Sequence, residues 1–557
     1  MKKILVLCCV ASLFCGCSRF LEEYSQDLAK VETFSDLDEV LLGKGYLPSG
    51  RFENNTYGVS PVNAFFQATH HMADELAFNE RSNIGDLAGI QPQMFGWYTW
   101  QQSVGLPYEG NSRTSESRDW KQAYSCINIC NMVLASVNDL SVNNQVEELQ
   151  KKRIKGEAHF LRALYYFTLG NLYGQPYCTK TLNTPAIPIK LTEYVEDKDY
   201  TVNTVEEVYT QVLNDLDEAE THLKDNEVKN YPYRADIITV YLLKSRVYLY
   251  MQNWKKALEY ANLVLDKRDG LLNLNSHTPD TEVLTKASPE TIFSMGGYPL
   301  AGCMYCSREE ENKYPAYVVS EDLLSAFIEG DNDWRTQYYI MKESIGGIST
   351  NYVYTDAWVL SKVKGWEYGY KESSDHFMFR TAEAYLNAAE AAAYSGDETT
   401  ARTMIKTLRD HRLKESHDVT ESGKELVDLI RRERQCELCF EGHRWFDLRR
   451  YTVCDKFPYS KKITHRYIKY VKFFEAGTYT VEFREYSLSG YTVANTVTLN
   501  VLDYDQAENA WLIDIINKTT TADMTPFEKM DAISAYLKEP GRFKYLTRYN
   551  DDVVSLA

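Results

Sequence analysis

Beyond its first residues the chain has no apolar run near the ~20 residues needed to cross a bilayer as a helix. It is short of positive charge: 61 Lys and Arg stand against 79 Asp and Glu, a formal net charge of −18. That deficit argues against nucleic-acid binding and against electrostatic adhesion to anionic lipid. No Gly-rich phosphate loop and no Gly-x-Ser-x-Gly elbow occurs, so neither nucleotide cradling nor the hydrolase elbow is signalled. Convergent metal ligands are also scarce. His70 and Asp74 share a helical face without an evident third ligand, and Asp331–Trp334 lacks the glycine and distal glutamate of a calcium loop. The expectation is no metal, no cofactor and no catalytic set.

Of twelve cysteines, Cys8, Cys9 and Cys15 lie in the N-terminal apolar stretch and Cys17 follows it, leaving eight. Two pairs, Cys303 with Cys306 and Cys436 with Cys439, have C-x-x-C spacing. The second pair lies in a strongly helical stretch, so small buried thiols are expected rather than a shared zinc site. Cys439, His443 and Asp447 recur every four residues. Successive turns of one helix put side chains in a row instead of converging them on a substrate, so no catalysis is expected there.

What is present begins at the N-terminus. Lys2 and Lys3 precede an apolar run, Ile4 to Phe14, and Gly16 stands directly before Cys17. A charged n-region, a short h-region and a small residue are the parts of a secretory signal. The small residue before a cysteine resembles the bacterial lipobox, with Phe14 where Leu is usual, and the alternatives are an ordinary cleaved signal or an uncleaved anchor. The lipobox reading makes residues 1–16 a signal peptide, Cys17 the lipidated mature terminus, and the rest a body tethered to a membrane.

The chain is 557 residues with 44% hydrophobic content, and its body reads mainly as helix. Asp119 to Val137 and Ile154 to Tyr173 carry apolar residues at helical spacing, with Gly174 and Pro176 as stops. Thr204 reads as the N-cap of a helix reaching about Leu223, with Glu206 and Glu207 in its first turn. Val247–Leu265 and Glu390–Leu408 resemble one another, matching Tyr250 with Tyr394, Asn253 with Asp397 and Ala257 with Ala401. Each reads as helix, polar turn, helix: a tetratricopeptide-like unit that must stack on others to bury its face. Residues 270–377 lose this period and read as long loops and short strands. After Cys454 the pattern alternates: Gly477–Glu485 and Tyr491–Val501 form a hairpin around a turn at 487–490, the second strand placing Tyr491, Val493, Val497, Leu499 and Val501 on one face. Thr525, Pro526 and Glu528 open a short helix that Gly541 ends. The expected fold is mainly α, a tetratricopeptide-like helical-pair scaffold with long loops plus a small β-hairpin and helix extension at the C-terminus.

Four stretches resemble one family. CSRFLEEYSQD offers an acylated Cys with Phe-Leu and acidic residues. GEAHFLRALYYFTLGNLYGQP ends in Tyr-Gly-x-Pro. FRTAEAYLNAAEA follows Arg-x-x-Glu-x-Tyr-Leu-x-x-Ala-Glu-Ala. LIRRERQCELCFEGHRWFDLRRY carries Glu-Gly-x-Arg-Trp-x-Asp-Leu-Arg-Arg. In this order, from about Cys17 to Tyr451, they resemble the SusD/RagB outer-membrane nutrient-binding lipoproteins. The reading is a signal at 1–16, a binding domain at 17–455 and, where the chain departs from the family, an extension at 456–557 whose MTPFEKMDAISAYLKEPGRFKYL faintly resembles the opening helix of transglutaminase-like domains, with no cysteine after Cys454 to serve their active site. The resemblance implies a non-enzymatic surface protein, lipid-anchored in the outer membrane, that captures an oligosaccharide or polysaccharide and delivers it to a TonB-dependent transporter. A peptide- or protein-binding receptor or adhesin is the alternative. The motif residues are expected to be structural, Arg380 meeting Glu383 and Arg444 meeting Asp447 across one helical turn.

Sugars present flat C–H faces on which indole and phenol rings stack. The cluster FGWYTW, with Trp97, Tyr98 and Trp100, is the leading ligand candidate, against the alternative that it packs the core. Trp358, Trp366, Tyr368 and Tyr370, in the loop-rich stretch, form a second candidate, and Arg81 a polar contact.

Overall fold

A computed structural model describes residues 31–46, 68–79, 96–100, 118–194, 199–226, 232–278, 283–295, 317–345, 355–362, 378–466, 477–487, 490–501 and 513–521, with 524–525, 528–530 and 532–533. Cys17, Arg81, Cys303, Cys306, Trp366, Tyr368 and Tyr370 lie outside the described residues.

The architecture is mainly helical, in antiparallel pairs. The helices are α1 (Phe34–Val40), α2 (Ala68–Met72), α3 (Arg118–Ser136), α4 (Gln145–Tyr173), α5 (Val205–Leu223), α6 (Ile237–Tyr250), α7 (Trp254–Leu265), α8 (Glu321–Leu324), α9 (Arg335–Tyr338), α10 (Thr381–Ser395), α11 (Glu398–Asp410), α12 (Gly423–Glu437) and α13 (Arg444–Tyr451). Local chemistry starts them. Thr204 caps α5 in a capping box with Glu207. Asn253 and Asp397, the matched polar residues of the two repeats, cap α7 and α11 by accepting from the backbone N–H three residues on. The paired Ala257 and Ala401 are buried where the helices approach.

The α3–α4, α4–α5 and α6–α7 pairs stack on one another, and α10 packs on α7, α11 and α12. The α4–α5 approach is close: a Cβ on Gly156 would lie 2.5 Å from Leu223 Cγ. The largest core cluster runs through α1 and α3–α7, and a second lies among α10–α12. Burying these faces against one another supplies most of the helices' stability.

A separate apolar cluster belongs to the loop face. Its strands are short: β1 (Leu76–Phe78) pairs antiparallel with β3 (Tyr317–Val319), β2 (Thr291–Phe293) with β6 (Phe379–Arg380), and β4 (Ile340–Ile345) with β5 (Thr355–Leu360). Beneath them lies a buried ionic network. Glu437 accepts from Arg412 (2.8 and 2.9 Å), Arg380 (3.0 Å), Arg335 (3.4 Å) and Tyr339 (2.8 Å). Glu290 adds bonds from Arg380 and Arg412. The network ties β6, α9 and the loop strands to α12.

Two expectations are corrected here. Arg380 bonds Glu441, Glu290 and Glu437, while Glu383 takes Arg246 (2.6 and 2.7 Å). Arg444 bonds Asp74, while Asp447 takes Arg434 (2.9 Å) and Arg450 (2.8 Å). In a buried setting the guanidinium follows the carboxylates that complete its desolvated fork, and these come from distant elements. The hairpin, β7 (Gly477–Ser487) with β8 (Gly490–Val501), forms as read. Its register shifts by a bulge after Phe483, so Val493 pairs with Arg484, out of the register that runs from Val497 to Val501, and is 46% exposed.

Candidate functional site

The β1–β3 pair places residues 70–79 against the turn between α12 and α13. That turn is tight: Phe440 and Gly442 both have positive φ, +62° and +79°. The Phe440 N–H donates to Glu75 (2.8 Å), whose other oxygen lies 3.2 Å from His70 Nδ1. Arg444 grips Asp74 with two bonds, 2.7 and 2.8 Å, and Lys461 adds a third at 2.7 Å. Burial opposes the Asp74 charge, but Arg444 and Lys461 outweigh it and hold its carboxyl at about 2. His70, His71, Asp74 and Glu75 are thus buried structural groups, and no metal-holding cluster occurs among the described residues. The acidic loop before α9 is engaged likewise: Asp333 bonds Arg335, and Asn332 bonds the backbone of residue 415.

On this base sits the aromatic segment. Trp97 (7% exposed) joins the loop-face core. Tyr98 (2% exposed) accepts from the Phe78 N–H (2.8 Å) and donates to the Arg466 carbonyl (3.2 Å), with its ring against Tyr317. Trp100 is different: 40% of it is exposed. Its φ of +48° is a left-handed conformation that costs a bulky residue of order 1–3 kcal/mol. The indole N–H donates to the Met72 carbonyl (3.1 Å), and one ring face stacks on His465. The expected trio therefore divides into two packed rings and one displayed ring.

Trp358, on β5 opposite Lys342, is half-buried against the loop-face cluster. Cys436 and Cys439 are buried free thiols. Burial pushes Cys436 well above its ordinary value and Cys439 up to about 12, which leaves both protonated and inert. Burial and the surrounding cations push His443 well below its usual value. No helix among the described residues is long and apolar enough to cross a membrane.

Sequence reading missed His465, which lies in the segment 461–466, outside any helix or strand and past the last motif helix. Nothing in KKITHRY announces that it returns to the aromatic face. Lys461, Ile463 and His465 alternate with the exposed Lys462, Thr464 and Arg466, so every second side chain meets the body.

Two family models match the chain: "SusD family" over residues 324–523 and "Starch-binding associating with outer membrane" over residues 66–249. SusD-like protein P25 of Formosa agariphila is 23% identical over 493 residues, covering 79% of this chain and 87% of its own. A solved SusD-like carbohydrate binding protein from Bacteroides vulgatus aligns with a TM-score of 0.58 at 20% identity, over 85% of this chain and 90% of that one. A structure described as a laminarin binding SusD-like protein aligns with a TM-score of 0.51 at 20% identity, over 75% and 92%. The paired-helix scaffold, the ordered motifs and the two family matches, over residues 66–249 and 324–523, agree: the chain belongs to the SusD/RagB family.

Proposed function

We propose that this protein captures a glycan at the bacterial surface, with Trp100 as the primary stacking platform, and hands it to a TonB-dependent outer-membrane transporter. The observation that carries the reading is Trp100 itself. A large apolar ring stands 40% exposed, held in a costly backbone conformation, with its N–H already bonded. Such a ring is ordered before a ligand arrives, so stacking on it costs little ordering entropy. Tyr98 and Trp97 belong to the packed base of this segment, and Trp358 is a second candidate contact; Trp366, Tyr368 and Arg81, the other candidates from the sequence, lie outside the described residues. Cys17 carries the lipid anchor that keeps the body at the outer membrane, facing out. The family description naming starch binding and outer-membrane association supports this reading, as do relatives described as carbohydrate- or laminarin-binding.

The test uses the soluble body, residues 18–557, against starch, laminarin, other polysaccharides and a peptide panel, with Trp100→Ala alongside. Full exposure of a Trp is about 250 Å², so the displayed part offers roughly 100 Å², worth up to ~2.5 kcal/mol. Loss of up to about 60-fold in saccharide affinity is expected for the variant. Peptide binding with no saccharide binding would replace glycan capture by the receptor or adhesin alternative.

A further inference from the structure

His465 lies between two aromatic rings. Its centroid is 4.1 Å from that of Tyr98 with the planes 3° apart, and 4.2 Å from that of Trp100 with the planes 13° apart. The imidazole edge is set as tightly as its faces. Nδ1 lies 2.6 Å from the Tyr98 carbonyl and Nε2 2.9 Å from the Ala73 carbonyl. A neutral ring donates to one of these carbonyls and an imidazolium to both, so in either state at least one hydrogen bond to a backbone carbonyl holds it. The segment is moored four residues earlier, where Lys461 bridges Asp74 (2.7 Å) and Asp322 (3.0 Å).

The result is a ladder of rings running outward: Tyr317, Tyr98, His465, Trp100. Tyr98 and His465 are fixed by hydrogen bonds, and the outermost ring carries the exposure. Removing the imidazole would leave the inner face of the indole across a ring-thick gap from Tyr98. The bond to Met72 would then be the one side-chain tie left among those described, at a residue whose backbone conformation is unfavourable.

We propose that His465 is a positioning residue for glycan capture: it touches no ligand and holds the Trp100 indole plane at the angle a sugar ring meets. This rests on the glycan reading of Trp100, and it brings residues 461–466, beyond the helical scaffold, into the binding face. A plug that merely stabilises the fold would lower the melting temperature of a variant without changing Trp100 or affinity.

The experiment compares residues 18–557 as wild type, His465→Ala, His465→Phe and Trp100→Ala. The Trp100 indole ¹H–¹⁵N resonance reports ring order, and binding to starch and laminarin reports affinity. His465→Ala should broaden or shift the indole resonance and weaken binding by roughly tenfold. His465→Phe, which keeps a flat ring without the nitrogens, should restore both, whatever its melting temperature. An unchanged indole resonance in His465→Ala overturns the proposal. So does saccharide binding that His465→Ala retains in full while Trp100→Ala loses it; that result leaves the glycan reading standing. Failure of the wild type to bind either saccharide removes the glycan reading and this proposal together.

Discussion

Replacing Asp74 with Asn keeps the volume and removes the charge that joins three parts of the loop face. Its carboxylate is 1% exposed and takes two bonds from Arg444 and one from Lys461. Holding that carboxyl at about 2 instead of 3.8 corresponds to roughly 2.4 kcal/mol of preference for its charged form. The variant also strands Arg444, itself only 7% exposed, and breaking one partner of a buried pair costs about 3–5 kcal/mol. A loss of about 3 kcal/mol is therefore expected near pH 7. The sign with pH follows from the depressed value. The folded carboxyl ionises more readily than the unfolded one, so its contribution is complete above about pH 5 and is lost as pH falls toward 2. Urea unfolding of wild type and Asp74→Asn from pH 7 downward measures this directly. The stability gap should hold to about pH 5 and then narrow by ~2 kcal/mol in acid. A gap below about 1 kcal/mol at pH 7, or one independent of pH, would refute the assignment of a charged, paired Asp74.

The buried network makes a second demand. Burial opposes the Glu437 charge, yet Arg412, Arg380 and Arg335 hold its carboxyl well below the usual range. Glu437→Gln should cost about 3–5 kcal/mol and release the loop strands before the helical core, seen as earlier hydrogen exchange in β4 and β5 than in α4. The buried thiols give a third outcome: Cys436 and Cys439 should resist alkylation at pH 8 in the native chain and react fully in denaturant. Rapid native labelling of either would show that the α12–α13 turn opens.

How much could be read in advance depended on the range of the interaction. Thr204 was legible as a cap because a cap is settled by a few neighbouring residues and one side-chain oxygen; Asn253 and Asp397 were legible as polar turn residues, and the structure shows that they cap the following helices. The helical pairs were legible from spacing, and the hairpin from alternation. The bulge in the hairpin was not, since one extra residue leaves the composition of the strand unchanged while reversing its faces. The aromatic segment was legible as a cluster, but not in its division of labour. Trp97, Tyr98 and Trp100 differ little as residues; packing alone buried two and displayed the third.

Amino-acid order alone settled the helical-pair scaffold, its caps and the family motifs, because these follow from local periodicity and short-range hydrogen bonding. Tertiary structure decided the rest. Arg380 and Arg444 left the carboxylates one turn away for partners such as Glu441 and Asp74, 61 and 370 residues distant in sequence. His465 reached Tyr98 across 367 residues. A buried charge or ring takes whichever partner completes its desolvated shell, and that partner exists only once the chain has brought the loop face together.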